Sequence, residues 1–369
     1  MAATQHRSTD YYVHTIPGIE GIARDELADL LPDMQLAGFK TVPERNGLVL
    51  FSTSEPAERL LSLRVAEDAF VTLGRLPEIP WGREGLEMIE RNLGTVLGLN
   101  HGLNVLETTR QVHRNREIRF RTITRISGTG QPYRRVDVTL AVARAIRRRS
   151  RQQWKAVESG EDVEVWVNLL GREVLVGLRL SDETMRHRDY QKVHLPASLR
   201  PSVAAAMVRL SAPRANDIFL DPMCGTGTLV IERGLAHRHG LLLGGDIDRA
   251  ALAAAAENLG PRHKPRELLQ WDARQLPLCD ASVDCIACNL PFGKQLSSPR
   301  QLPGLYQGVL SEIARLLRPG GRAVLLTSAI SVLREQVPRV GGLALGRRYP
   351  VNILGQNATI QTLSRTFDS

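Results

Sequence analysis

The run Asp221-Pro222-Met223-Cys224-Gly225-Thr226-Gly227-Thr228-Leu229-Val230-Ile231-Glu232 constrains this chain more than any other stretch. It reads as a strand end, a tight glycine turn and a helix start. From about residue 196 onward the same rhythm continues, with strands ending near Asp221, Asp246, Asp272 and Asn289 and helical segments such as Ala250–Leu259 between them. Such alternation predicts an α/β fold with a parallel sheet and helices on both faces. Leu316–Arg322 ends a helix and leads into a strand over Ala323–Thr327.

The N-terminal half has a different texture. Tyr11–Thr15 is an expected strand, Pro17-Gly18 turns the chain, and Ile19–Leu31 has helical apolar spacing. Asn46-Gly47 is an expected turn before the strand Leu48–Phe51. Residues 60–182 continue as a mixture. Ile118–Arg121 alternates apolar and polar as a half-buried strand does, and Val136–Arg149 reads as a helix with an arginine-rich end. Val163–Val167 and Val174–Leu178 form an expected hairpin around Gly171. A length of 369 residues accommodates two or three domains. No apolar run reaches the roughly 18 residues of a membrane span, and the first ten residues lack the apolar core of a secretory signal. A cytoplasmic protein is expected.

The net charge of +9 is unevenly placed. Between residues 110 and 155, thirteen arginines and Lys155 stand against Glu117 and Asp137, a surplus of twelve. A solvated helix face accounts for Arg147-Arg148-Arg149 alone, but the whole block points to a polyanion, and phosphate backbones are the usual one. The four cysteines, Cys224, Cys279, Cys285 and Cys288, lie in the C-terminal half. Cys285-x-x-Cys288 has no second pair of ligands and sits in a strand, so buried small side chains rather than a metal are expected.

Ligands of open parallel sheets bind beyond the carboxyl ends of the strands, where Gly225 and Gly227 allow close backbone approach. A dinucleotide fingerprint needs a third small residue three positions after Gly227, where this chain has Val230. Asp246, or Asp248 beside it, is placed to accept from ribose hydroxyls. Asp272 is a candidate acceptor for an adenine amine. One such Asp is an ordinary cap or turn former; three at successive strand ends beside a glycine turn favour a nucleoside.

Asn289-Leu290-Pro291-Phe292 forms the second signature. Asn289 brings a side-chain carbonyl and Leu290 a backbone carbonyl, two acceptors that can hold the hydrogens of an exocyclic amine. Pro291 stiffens the turn, Phe292 offers a face for an unstacked base, and Gly293 leaves room for it. Alone the motif is a strand-to-loop turn; after the glycine signature it points to methyl transfer onto a nucleobase, a displacement governed by positioning.

These residues resemble those of class I S-adenosylmethionine-dependent RNA methyltransferases carrying an N-terminal THUMP domain. The resemblance rests on Asp221–Glu232, Gly245-Asp246-Ile247-Asp248, Asp272-Ala273-Arg274 and Asn289–Lys294, and covers roughly residues 180–365. Arg186–Tyr190 and Pro196–Pro201 look like the segment joining the two halves of such proteins. Residues 11–180 match in layout and basic character only. The resemblance implies a Rossmann-like methyltransferase domain over 183–369, preceded by a ferredoxin-like α+β domain over 1–58 and a THUMP domain over 59–182. It further implies N2-methylation of a guanosine in tRNA, with the THUMP region gripping the acceptor stem or 3′ end. Asp221, Cys224, Gly225, Gly227, Asp246, Asp248, Asp272 and Ala273 would hold the cofactor, Asn289–Phe292 the amine and base, and Arg147, Arg148, Arg149, Arg186, Arg188 and Lys294 the RNA. Leu290 stands where many amino-methyltransferases carry another proline. The family also includes enzymes of rRNA and small nuclear RNA. A DNA adenine-N6 methyltransferase and an inactive RNA-binding protein are the alternatives.

Overall fold

Strands buried on both faces are built from near-continuous apolar runs, and the C-terminal half supplies them. The computed structural model describes residues 8–43, 45–112, 117–128, 132–151, 153–196, 198–292 and 299–366. The chain divides into two units, Met1–Arg186 and His187–Ser369.

The second unit contains α6 (Pro201–Leu210), β9 (Ile218–Asp221), α7 (Thr228–Ala236), β10 (Leu241–Asp246), α8 (Arg249–Leu259), β11 (Arg266–Gln270), β12 (Val283–Asn289), α9 (Leu302–Leu316), β13 (Leu317–Thr327), α10 (Ile330–Val340), β14 (Leu343–Ile353) and β15 (Gln356–Arg365). The strands run in the order β11-β10-β9-β12-β13-β15-β14. The first five are mutually parallel; β15 and β14 pair antiparallel at one edge. That edge hairpin is poorly marked in the sequence because Leu345–Arg348 of β14 is exposed. Successive strand residues point to opposite faces. On β12, Ile286 and Cys288 join a core with Tyr306, Leu310 and Leu333 of α9 and α10, while Cys285 and Ala287, equally buried, face the other way. The strand order reverses between β10-β9 and β9-β12. This is the switch point where such sheets bind ligands.

The first unit contains β1 (Thr9–Thr15), α1 (Glu20–Leu30), β2 (Gln35–Val42), β3 (Asn46–Thr53), β4 (Asp68–Leu76), α2 (Arg83–Val96), α3 (Leu99–Thr109), β5 (Ile118–Ser127), α4 (Arg135–Arg149), β6 (Trp154–Ala156), β7 (Val163–Leu170) and β8 (Glu173–Arg179), with α5 (Thr184–His187) at the division. Its eight strands form one sheet, β2-β3-β1-β4-β8-β7-β5-β6. Because β1 pairs with both β3 and β4, the sheet runs unbroken past residue 58. Asn46 and Gly47 already belong to β3, paired with Val42 and Thr41, so the reversal precedes the expected Asn-Gly turn. The expected β7–β8 hairpin forms, with Gly171 at φ 64° between its strands.

One face of this sheet carries Tyr12, Phe70, Trp166 and Leu175. His14 lies among the aromatic rings, 4.5 Å from Phe70 and 5.3 Å from Trp166 between centroids. Asp68, fully buried, is paired with Arg179 at 2.7 Å and with Arg186.

Candidate active site

The carboxyl ends of β9, β10 and β12 bring Asp221, Asp246 and Asn289 to a cavity of about 380 Å³. Cavities of about 300–1,000 Å³ are the usual size for small-molecule sites. Its lining includes Asp221, Cys224, Gly225, Asp246, Asp248 and Asn289, all expected from the sequence. Leu195, Pro196, Ser198 and Leu199 of the joining segment also line it. Ala197, within that segment, lies outside the described residues.

The glycine turn owes its shape to two positive φ angles, 51° at Gly225 and 81° at Gly227, conformations that side chains disfavour. A Cβ at Gly225 would meet nothing within 4 Å, because that position faces open space. At Gly227 it would press on Ala255 at 3.2 Å, so this glycine serves helix packing and starts α7 as its N-cap. Gly225 N donates to Asp246 Oδ2 at 2.9 Å, and Asp248 N donates to Asp246 Oδ1 at 3.0 Å. Each carboxylate oxygen has a further lone pair for a ligand. The Asp248 side chain accepts from Ala250 N at 2.8 Å, capping α8. Asp221, 2% exposed, accepts from Met223 N at 3.2 Å. Burial, reinforced by nearby Asp246, raises its pKa well above the usual carboxylate range.

Two expected cofactor residues, Asp272 and Ala273, are not part of that lining. Asp272 lies two residues beyond β11 and outside the cavity lining. Arg274 binds both of its oxygens, at 2.6–3.1 Å, and holds its pKa down. Ala273 packs into the core.

Hydrogen bonding in the second signature leaves an informative remainder. Leu290 N donates to Leu326 O at 3.0 Å. The Pro291 carbonyl accepts from Tyr306 Oη at 3.0 Å, and the Phe292 carbonyl is 3.5 Å from Ser328 Oγ. Asn289 Oδ1 is buried and has no donor, although Asn289 lines the cavity. The turn therefore holds itself through Leu290 N and the Pro291 carbonyl and leaves Asn289 Oδ1 open. Phe292 is half-buried and absent from the cavity lining; Gly293 and Lys294 lie outside the described residues.

Two positioning residues gave no sequence signal. Trp271 donates from Nε1 to Pro222 O at 3.0 Å, and its ring occupies the space a side chain at Gly245 would need. Tyr306 Oη also lies 2.7 Å from Thr327 Oγ1, which accepts from Ala329 N at 2.8 Å. Trp271 directly precedes the Asp272-Ala273-Arg274 motif, but its bond to Pro222 appears only in the fold, and Tyr306 stands near no motif in the sequence.

In the first unit, the arginine surplus is partly matched by acids from outside the 110–155 window. Arg148 pairs with Glu90 at 2.9 Å, Arg119 with Asp162 at 3.2 Å and Arg121 with Glu164 at 2.8 Å. Arg149 Nε donates to Leu97 O at 3.1 Å. Arg147, Arg148 and Arg149 form the last turn of α4, where cations are favoured by the helix dipole. Arg186 is tied to Asp68. Arg188, in the second unit, is 9% exposed, so it is poorly placed to meet a polyanion. All four cysteines are free, Cys285 and Cys288 are buried, and no metal-binding cluster occurs among the described residues. None of the described helices is long and apolar enough to cross a membrane.

The sheet order, the glycine turn and the site at the switch point define the second unit as a Rossmann-like methyltransferase fold. Residues 188–340 match the family described as UPF0020: RMKL-like, methyltransferase domain. A cattle (Bos taurus) protein named tRNA (guanine(6)-N(2))-methyltransferase THUMP3 is 36% identical over 229 residues, which cover 58% of this chain and 45% of that protein. Another cattle protein, named U6 snRNA (guanine-N(2))-methyltransferase THUMPD2, is 35% identical over 47% of this chain and 34% of its own length. The chain thus spans less than half the length of these two relatives. The crystal structure of TrmN from Thermus thermophilus superposes with a TM-score of 0.79 at 27% identity, covering 97% of this chain and all of that one.

Proposed function

We propose that this protein transfers a methyl group from S-adenosylmethionine to the exocyclic N2 amine of a guanosine in tRNA. The observation that carries this reading is Asn289 Oδ1, a buried acceptor without a donor at the rim of a nucleoside-sized cavity. An unsatisfied buried polar atom costs about 1–3 kcal/mol, a cost that a bound amine would remove. When bound, the cofactor supplies an electrophilic methyl carbon on a positively charged sulfur. Asp246 would accept from its ribose, and the open space at Gly225 would receive it. Asn289 Oδ1 and the Leu290 carbonyl would accept the two amine hydrogens, turning the nitrogen lone pair toward the methyl carbon. Phe292 would stack on the extruded base. Guanosine in tRNA is supported by the activity for which the THUMP3 relative is named.

In this reading the first unit supplies the RNA grip, with a ferredoxin-like part over 1–58 and a THUMP part over 59–182. Exposed arginine–carboxylate pairs are worth only about 0–1 kcal/mol, so Arg148 can exchange Glu90 for a phosphate. Four free cysteines suit a reducing cytoplasm.

Asn289→Ala tests the reading. Turnover on unmodified tRNA should fall about 100-fold or more, the scale on which loss of one oriented polar contact acts, while S-adenosylhomocysteine affinity stays nearly unchanged. Full activity in the variant would remove Asn289 from the mechanism. Parallel assays on U6 small nuclear RNA and duplex DNA separate the alternative acceptors.

A further inference from the structure

The cofactor cavity has one wall without regular secondary structure, the strap Lys192–Pro196, from which Leu195 and Pro196 face the cavity. An irregular segment needs bonds from outside itself to hold one position. Three of those bonds come from one side chain. Asn258, 5% exposed near the end of α8, accepts at Oδ1 from Lys192 N and Val193 N, both at 2.9 Å. Its Nδ2 donates to Val193 O and to Thr226 O, both at 3.1 Å. Two donations and two acceptances satisfy the carboxamide. Thr226 belongs to the glycine turn, so one side chain joins two walls of the cavity from behind.

Resting on the proposed function, we propose that Asn258 is a positioning residue that sets cofactor affinity by fastening the strap to the glycine turn. It touches no ligand; it keeps the strap in the conformation that completes the pocket. A pocket complete only part of the time binds more weakly in proportion to the lost fraction. Other ties hold the strap's flanks: Tyr190 Oη donates to Glu232 Oε1 at 2.6 Å, and Ser198 Oγ donates to Leu195 O at 2.7 Å. The Tyr190 tie does not reach the glycine turn; Ser198 Oγ accepts from Thr226 Oγ1 at 3.5 Å, the limit of a hydrogen bond, so the shorter bond to that turn, at 3.1 Å, is Asn258's. Asn258 bonds both parts at once.

The test is Asn258→Ala in the full chain, with S-adenosylhomocysteine as probe in calorimetry. Alanine is a stronger helix former than asparagine, so α8 should persist. The expected result is an affinity about tenfold or more weaker, equivalent to a strap released about nine-tenths of the time. Trypsin should cut faster after exposed Lys192 and elsewhere at the wild-type rate, and the probe should slow that cut. Affinity within about twofold of wild type overturns the inference, as does cleavage that rises equally at every site, which marks general loosening. If Asn258→Ala does not melt cooperatively, Asn258→Asp takes its place; it keeps the acceptor and loses the donations to Val193 O and Thr226 O. A wild-type protein that binds no probe sinks the reading of the cavity and this inference together, whereas wild-type binding with an unaltered variant sinks this inference alone.

Discussion

His14 shows how much one side chain can cost a fold. Both ring nitrogens are buried without hydrogen bonds, amid Tyr12, Phe70 and Trp166. Burial, with Arg186, Arg125 and Arg179 nearby, lowers its pKa to about 3. The unfolded chain takes up a proton near the ordinary value of about 6.5, which the folded form refuses. The contribution of His14 to stability is therefore present above that ordinary value and is lost as pH falls toward about 3. His14→Phe should stabilise the protein by about 1–3 kcal/mol at neutral pH, and the gain should grow below about pH 6.5. Urea unfolding at several pH values checks this; a gain that shrinks on acidification contradicts it. The sequence placed Tyr11–Thr15 in a strand correctly, but the burden on His14 comes from rings and guanidiniums on four other strands and α5. Asp248 presents the reverse situation. Its spacing marked it for a ligand, and it does line the cavity, but its side chain also caps α8, a second engagement that the sequence did not show.

At the scale of elements, the turn after β12 is fixed from two directions. Leu326, near the end of β13, holds Leu290 N, and Ser328, just after that strand, lies near the Phe292 carbonyl. A directed chain runs from Ala329 N through Thr327 Oγ1 and Tyr306 Oη to the Pro291 carbonyl. Burial raises the Tyr306 pKa to about 12, so the phenol remains a donor across the working pH range. Tyr306→Phe should leave S-adenosylhomocysteine affinity intact and lower kcat about 10- to 100-fold, because small misplacements of a reacting group cost that much. Single-turnover assays beside calorimetry separate the two effects; a matching loss of affinity would mean general damage. The Asn289–Phe292 motif was legible because its residues are adjacent. Tyr306 and Asn258 were not, since each reaches the site from a helix whose sequence spacing reports only which face is buried. The antiparallel β14–β15 edge was likewise hidden, as its exposed residues break the apolar alternation that reveals half-buried strands.

For the molecule as a whole, charge is the property most easily misread from the sequence. The surplus between residues 110 and 155 is real, but Glu90, Glu161, Asp162 and Glu164 fold back to meet Arg121, Arg119 and Arg148. Separation along the chain says nothing about such neutralisation. If α4 contacts RNA, reversing Arg147, Arg148 and Arg149 to Glu should weaken tRNA binding and flatten its dependence on salt by about 0.7–0.9 in log–log slope per lost phosphate contact. Filter binding across a salt series measures this, with cofactor affinity as the unaffected control. An unchanged slope would return the last turn of α4 to the role of a solvated, dipole-matched helix end.

The unbroken ladder through β3, β1, β4 and β8 limits how this protein can be taken apart. A cut near residue 58 would strip β4 of a neighbour and bare the backbone amides and carbonyls that pair Tyr11–His14 with Asp68–Val71. Such a raw margin invites clumping with any extended chain. A recombinant fragment, a fusion partner or a gene shuffled by evolution would do best to carry residues 1–186 as one indivisible block.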